Sequence, residues 1–328
     1  MRQAIDVSSE SLPQKARGTV VLHAVFHALT YADVFDYPLT APEVYRYLTS
    51  TGATLEQVLE ALADEGAFSQ VGGYFTLRGR EQIVETRKRR AGIAARLWPK
   101  AARYGRIIAR LPYIRMVAVT GSLAMDNTDE GKDVDYMIVT APNRLWTCRA
   151  LTLLVARLAK WEGISLCPNY LVTTHALQFK ERSLYVAHEV AQMIPISGME
   201  VYKEIRSLNS WMDDYLPNAP DAPELLRRVK PVNRPSFLQK VMEIVFSLPF
   251  GNWLERWEMN RKIKKLSYEQ SSSIESYFSA DVCKGHIDKH GENVVTALAV
   301  RLANVSASHQ TDEEISLKER LFRLDQAR

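Results

Sequence analysis

The sequence predicts an α+β protein in which a small mixed β-sheet follows a compact helical unit with a hairpin and precedes a largely helical region. Three observations predict it. Residues 19–78 combine capped helical segments with a Gly-Gly turn, residues 114–174 carry three short apolar runs, and the chain beyond 180 repeats apolar residues at three- and four-residue steps. At 328 residues the chain exceeds one typical core, so several domains are expected. The pattern divides into a flexible stretch over 1–18, a helical unit over 19–80, a basic helical linker over 81–104, a sheet-bearing core over 105–180 and a helical region over 181–328.

Composition excludes several classes. The charged and apolar fractions, 24% and 46%, are those of an ordinary globular protein and exclude disordered or fibrous chains. Cys148, Cys167 and Cys283 are odd in number and far apart, which gives no disulfide framework and predicts a reducing, cytoplasmic location. The first 18 residues lack the apolar core of a signal peptide, so no export is expected. The most lipid-like run, FLQKVMEIVFSLPFGNWLERW from Phe237, is broken by Lys240, Glu243 and Pro249. It is too interrupted to span a bilayer and reads as a buried helix, with peripheral membrane contact as the second alternative.

In the first unit, VVLHAVFHALTYADVF has helical spacing. TAPEVYRYL places Thr40 and Glu43 in capping-box spacing with Pro42 in the first turn, and TLEQVLEALADEG repeats the box with Thr54 and Gln57 before Gly66. Gly72-Gly73 then separates two β-prone runs as a tight hairpin. Helix, helix, helix, hairpin is similar to the order of a winged helix. Duplex DNA is a poor partner for it, because the third helix carries Glu56, Glu60, Asp64 and Glu65, which repel phosphate. A protein contact or domain packing fits these charges better.

The linker is the opposite. Arg80, Arg87, Lys88, Arg89, Arg90, Arg96, Lys100, Arg103, Arg106 and Arg110 face only Glu81 and Glu85. With Ile83, Ile93, Leu97, Ile107 and Ile108 at helical intervals, it reads as one or two helices with a solvated basic face, or with a surface for RNA or polyphosphate.

The core opens with IRMVAVTGS, an apolar run ending in Gly121-Ser122. DVDYMIVT from Asp133 starts a second strand, an amphipathic helix with Leu145, Leu151, Leu154, Val155 and Leu158 follows, and ISLCPNYLVTT supplies a third strand. Residues two apart on a strand share a face, so Asp133 and Asp135 aim at one spot. Two such carboxylates call for a cation, and a cation that also binds phosphate describes Mg²⁺. The Gly-Ser turn adds backbone N–H groups where glycine allows close approach of a phosphate.

Gly121-Ser122, ten intervening residues and Asp133-Val134-Asp135 between apolar flanks resemble the signature of the nucleotidyltransferase superfamily related to DNA polymerase β, over about residues 105–180. The resemblance implies that Gly121 and Ser122 hold the triphosphate of an NTP, that Asp133 and Asp135 ligate Mg²⁺ or Mn²⁺, and that an NMP group passes to an acceptor with pyrophosphate leaving. A small-molecule acceptor comes first, a protein second and an RNA end third. Where the family often carries a third acid, the matching strand offers Asn169, which can neither bring charge nor act as a base. Glu162 or Glu189 stands in for it, or the chain is a nucleotide-binding sensor without transfer. A Lys132 precedes Asp133 where relatives commonly carry a small hydroxyl residue.

Other groups carry weaker signals. His188-Glu189 begins a zinc-helix motif, but the second ligand position is Gln192. Cys283, His286 and His290 lie at metal-like spacing in a segment with two glycines and no fourth ligand, and read as a polar loop. His175 ends the third strand. Asn209, Trp211 and Tyr215 belong to a helical region that in relatives forms the far wall of the cleft, or to its packing, and a Pro-rich hinge starts at Pro217.

Overall fold

The structure is a computed structural model that describes residues 14–64, 66, 68–223, 226, 229, 231, 236–269, 277–284 and 291–303. The expectations for residues 1–13, Glu65, His286, His290 and the part of the helical region over 304–328 lie outside the described residues. The fold is mixed α+β, with two small sheets among the described residues.

Helices α1 (Gln14–Asp33), α2 (Ala41–Arg46) and α3 (Leu55–Leu62) pack with a three-stranded sheet of β1 (Leu39–Thr40), β2 (Phe68–Val71) and β3 (Tyr74–Leu77), in the order β1-β3-β2. Thr54 and Gln57 form the expected reciprocal cap of α3, at 2.8 and 3.3 Å. Val71 opposes Tyr74, so Gly72 and Gly73 make a two-residue turn at φ +56° and +84°, backbone angles that glycine reaches without strain. Val25, Val44, Leu48 and Val58 fill the centre of this unit. Glu56 and Glu60 of α3 are exposed, as their charge demands.

The expected basic linker is one helix, α4 (Ile83–Ala109), and it is a spine of the core. Ala94, Ala101 and Ile108 are fully buried against the central sheet. Lys88, Arg89, Arg96, Lys100, Arg103 and Arg110 of this basic segment are exposed, as a solvated face requires, but several of its cations are paired. Arg80 pairs with Asp33 at 2.7 Å, Arg87 with Glu43 at 2.6 Å, Arg89 and Arg90 with Asp129 at 2.7 and 3.0 Å, and Arg103 with Glu162 at 3.0 Å. These acids come from distant parts of the sequence, so the excess of charge within the segment could not reveal them.

The central sheet holds β4 (Ile114–Thr120), β5 (Val134–Thr140), β6 (Leu166–Thr173), β7 (Ile194–Ser197), β8 (Tyr277–Phe278) and β9 (Val282–Lys284), in the order β7-β4-β5-β6-β9-β8. Among the described strands only β5 and β6 pair in parallel, and α6 (Leu145–Trp161) makes the crossover that parallel pairing requires. Alternation along the strands splits two cores. Val117, Val119, Tyr136 and Ile138 face α4 and α6, whereas Met116, Ala118, Met137 and Val139 face α7 (Leu184–Gln192) and α8 (Met199–Leu208).

The region beyond 180 is not wholly helical. Strand β7 is a four-residue buried run, too short to show a period, and Pro195 is tolerated because β7 is an edge strand. Strand β9 buries Cys283 opposite Leu171, so this cysteine belongs to the sheet and not to a loop. The run from Phe237 forms α9 (Phe237–Ser247) and α10 (Pro249–Glu269), and it is not a buried helix: Phe237, Ile244 and Trp253 are 84%, 68% and 57% exposed. No described helix is long and apolar enough to cross a membrane.

Candidate active site

Strand β4 ends at Thr120, directly opposite Asp135 of β5. The chain then turns at Gly121, with φ +64°, into the short helix α5 (Gly121–Ala124). A Cβ on Gly121 would lie 2.7 Å from Asp135 Oδ2, so the turn backs onto the carboxylate more closely than any side chain permits. Ser122 follows, and the Asn127 N–H donates to its carbonyl at 2.8 Å, folding the loop back over the turn.

Asp135 stands beside Cys167 in the parallel register, and the neighbouring Cys167 thiol favours the ionised carboxylate. Asn169 Nδ2 donates to Asp135 Oδ1 at 3.4 Å. Asn169 sits where the β5/β6 register shifts, between the Tyr136–Pro168 and Met137–Tyr170 pairs. Burial, and then the charge of Asp133, push the Asp135 carboxyl up to about 6, with Lys132 opposing. Glu189, on α7, is pushed up to about 7 by burial and then by the charge of Asp135, with Lys284 opposing. The two carboxyls are therefore electrostatic neighbours supplied by different elements.

Gly121, Ser122, Asp135, Asn169 and Glu189 line one side of a cavity of about 500 Å³, and Lys132 lies at its edge. Asp133 precedes β5, is exposed, and is not part of the lining, although its charge reaches Asp135. Glu162 is engaged with Arg103 and does not line the cavity. His175 is exposed and likewise outside it.

The far wall comes mainly from the N-terminal unit, joined by α7 of the helical region beyond 180. Tyr31, Phe35, Tyr37 and Tyr47 line it, with His188 and Gln192 of α7. His188 stacks on Tyr31 with ring centroids 4.0 Å apart, and Gln192 Nε2 donates to its Nδ1 at 3.2 Å. Burial, and then His27, lower His188 to about 3, so it carries no charge near neutral pH. Latches hold the wall: Tyr37 Oη donates to the Met125 carbonyl at 2.8 Å, and Arg90 joins the Phe35 carbonyl to Asp129.

Asn209, Trp211 and Tyr215 do not reach the cavity. Asn209 is fully buried, accepts from Phe179 N–H and Trp211 Nε1, and donates to the Leu177 and Ile205 carbonyls. It organises packing. Among the described residues no three His, Cys, Asp or Glu side chains converge as a ready-made metal site. No family model, curated protein or solved structure matches the chain.

Proposed function

We propose that the chain is a Mg²⁺-dependent nucleotidyltransferase that moves an NMP group from an NTP to a small-molecule acceptor and releases pyrophosphate. One observation carries this reading: the Gly121-Ser122 turn, Asp135 and Glu189 share a single cavity. The donor set suits Mg²⁺, which commonly takes one or two carboxylates and completes its shell with water and phosphate oxygens. Asp135 and Glu189 both hold protons more tightly than ordinary carboxyls, the behaviour of an anionic pair that a cation would relieve. The bound ion would spread the charge that develops on the triphosphate.

The chain's own groups divide the remaining tasks. The turn at Gly121 and Ser122 offers N–H groups and a hydroxyl to phosphate, and Lys132 brings positive charge to the rim. Asn169 keeps Asp135 in place. Glu189 is the further carboxyl of the cavity placed to take a proton from an acceptor hydroxyl, the task that Asn169 cannot perform. An apolar, aromatic far wall supports a small acceptor over a macromolecule. We read the N-terminal unit as a winged helix that serves as this wall. Its exposed acids disfavour duplex DNA, and its outer face remains open to a protein partner. Pairing of the α4 arginines weakens the case for an RNA end.

A second reading, a nucleotide sensor without transfer, is favoured by Asn169 in place of a strand carboxylate. Incubation with NTP labelled at the α-phosphate, with Mg²⁺ and a small-molecule extract, separates the two. Transfer of label by the wild type, lost in Asp135→Asn and Glu189→Gln, supports the enzyme. Metal-dependent NTP binding with no transfer to small molecules, protein or RNA overturns it in favour of the sensor.

A further inference from the structure

Helix α9 is amphipathic with a largely polar side turned inward, and α10 buries Glu255 and Glu258 beside Met259 and Ile263, which pack on the core. On α9, Phe237, Val241, Ile244, Val245 and Leu248 lie at three- and four-residue steps and are 38–84% exposed. Its opposite side is polar and occupied. Gln239 Nε2 donates to the Leu111 and Ile114 carbonyls, and Glu243 accepts from Tyr113 N–H at 2.7 Å and Arg115 at 2.8 Å. On α10, Glu255 is 6% exposed and accepts from the N–H groups of Trp146 and Thr147, at 2.9 and 2.7 Å, capping the N-terminus of α6. On α9 the inward polar groups explain the inversion, because the surface beneath them presents backbone groups of residues 111–114 and Arg115.

The outward face of α10 carries Phe250, Trp253 and Trp257, stacked in sequence with centroids 5.8 and 6.2 Å apart. Trp253 and Trp257 are 57% and 48% exposed. Charge is sorted as well. Among the described side chains of both helices, Glu243, Glu255 and Glu258 turn inward, whereas Lys240, Arg256, Arg261 and Lys264 are exposed. Arg261 lies over the Trp257 ring at 5.1 Å.

We propose that α9 and α10 form a docking face for an anionic lipid surface, lying in the headgroup region without crossing it. Exposed aromatics mixed with cations and free of acids match an interface that is apolar below and negative above. A protein partner would tolerate acids on this face, and a lipid surface carrying net negative charge would not. Breakage of the run at Lys240, Glu243 and Pro249 suits an interfacial position. This inference stands independently of the nucleotidyltransferase reading.

The test is co-sedimentation of the full chain with phosphatidylcholine vesicles, with and without phosphatidylserine. Binding to the anionic vesicles, weakened by salt, is expected. Trp253→Ser with Trp257→Ser should weaken it about tenfold or more, through lost apolar contact. Lys240→Glu with Arg256→Glu should abolish the preference for anionic lipid. All four side chains are exposed, so thermal unfolding of both variants should match the wild type. Absence of binding to anionic vesicles at low salt overturns the proposal. So does binding that the tryptophan variant retains in full. A concentration-dependent dimer, dispersed by the tryptophan variant in a chain that ignores vesicles, would reassign the face to a second copy.

Discussion

Raising the pH on the metal-free protein charges Asp135 and Glu189 in one cavity, and the fold should lose stability as it does so. Folding raises Asp135 from 3.8 to about 6 and Glu189 from 4.5 to about 7. Within that range the folded chain binds more protons than the unfolded one. The contribution of the pair is therefore most favourable below about pH 4, falls as pH rises, and levels off above about pH 7. At about 1.4 kcal/mol for each tenfold in proton affinity, each carboxyl corresponds to about 3 kcal/mol. The pair titrates jointly at a cavity that water enters, so a combined loss of about 3 kcal/mol is the expected scale. Glu189→Gln keeps the side-chain shape and removes the later charge. Urea unfolding followed by circular dichroism at pH 5, 6, 7 and 8 should show the variant about 1–2 kcal/mol more stable than the wild type at pH 8, with a flatter profile. A variant that is less stable at pH 8, or that keeps the full pH dependence, would refute the placement of these two charges together.

Three further substitutions probe the frame of the site. Gly121→Ala puts a Cβ 2.7 Å from Asp135 Oδ2 on a left-handed backbone; thermal and urea unfolding should register a loss of about 2–3 kcal/mol, with NTP-dependent stabilisation lost. Glu255→Ala strips the cap from the Trp146 and Thr147 N–H groups and should cost about 2–4 kcal/mol in urea unfolding, whereas Glu255→Gln should cost less because it keeps an acceptor. Asn209→Ala removes the bonds that join Phe179, Leu177 and Trp211 and should cost about 3 kcal/mol in unfolding while calorimetric NTP affinity stays unchanged, since Asn209 packs away from the cavity.

Much of this architecture is legible in the residues. Capping boxes and a Gly-Gly turn are local signals, and the α3 cap and the β2–β3 hairpin follow them. The runs read from 114, 133 and 164 become β4, β5 and β6. The approach of Gly121 to Asp135 is also foreshadowed, because both adjoin neighbouring strands. Tertiary pairing is what the residues conceal. Nothing local tells that Arg87 meets Glu43 or that Tyr31 stacks on His188, so the far wall of the cavity goes unread. Asp133 shares a face with Asp135 only if the strand begins early enough, and β5 begins at Val134. Amphipathic periodicity identifies α9 but not which side faces out. That choice is made by Gln239 and Glu243, whose partners lie more than a hundred residues earlier.

The central claim is that the cavity takes a metal–triphosphate, and calorimetric titration of NTP with and without Mg²⁺ tests it most directly. The wild type should bind NTP tightly only when the cation is present. Asp135→Asn should abolish that cation dependence while keeping the unfolding transition of a folded chain. Equal affinity with and without Mg²⁺, or an Asp135→Asn variant that binds as the wild type does, would contradict the account.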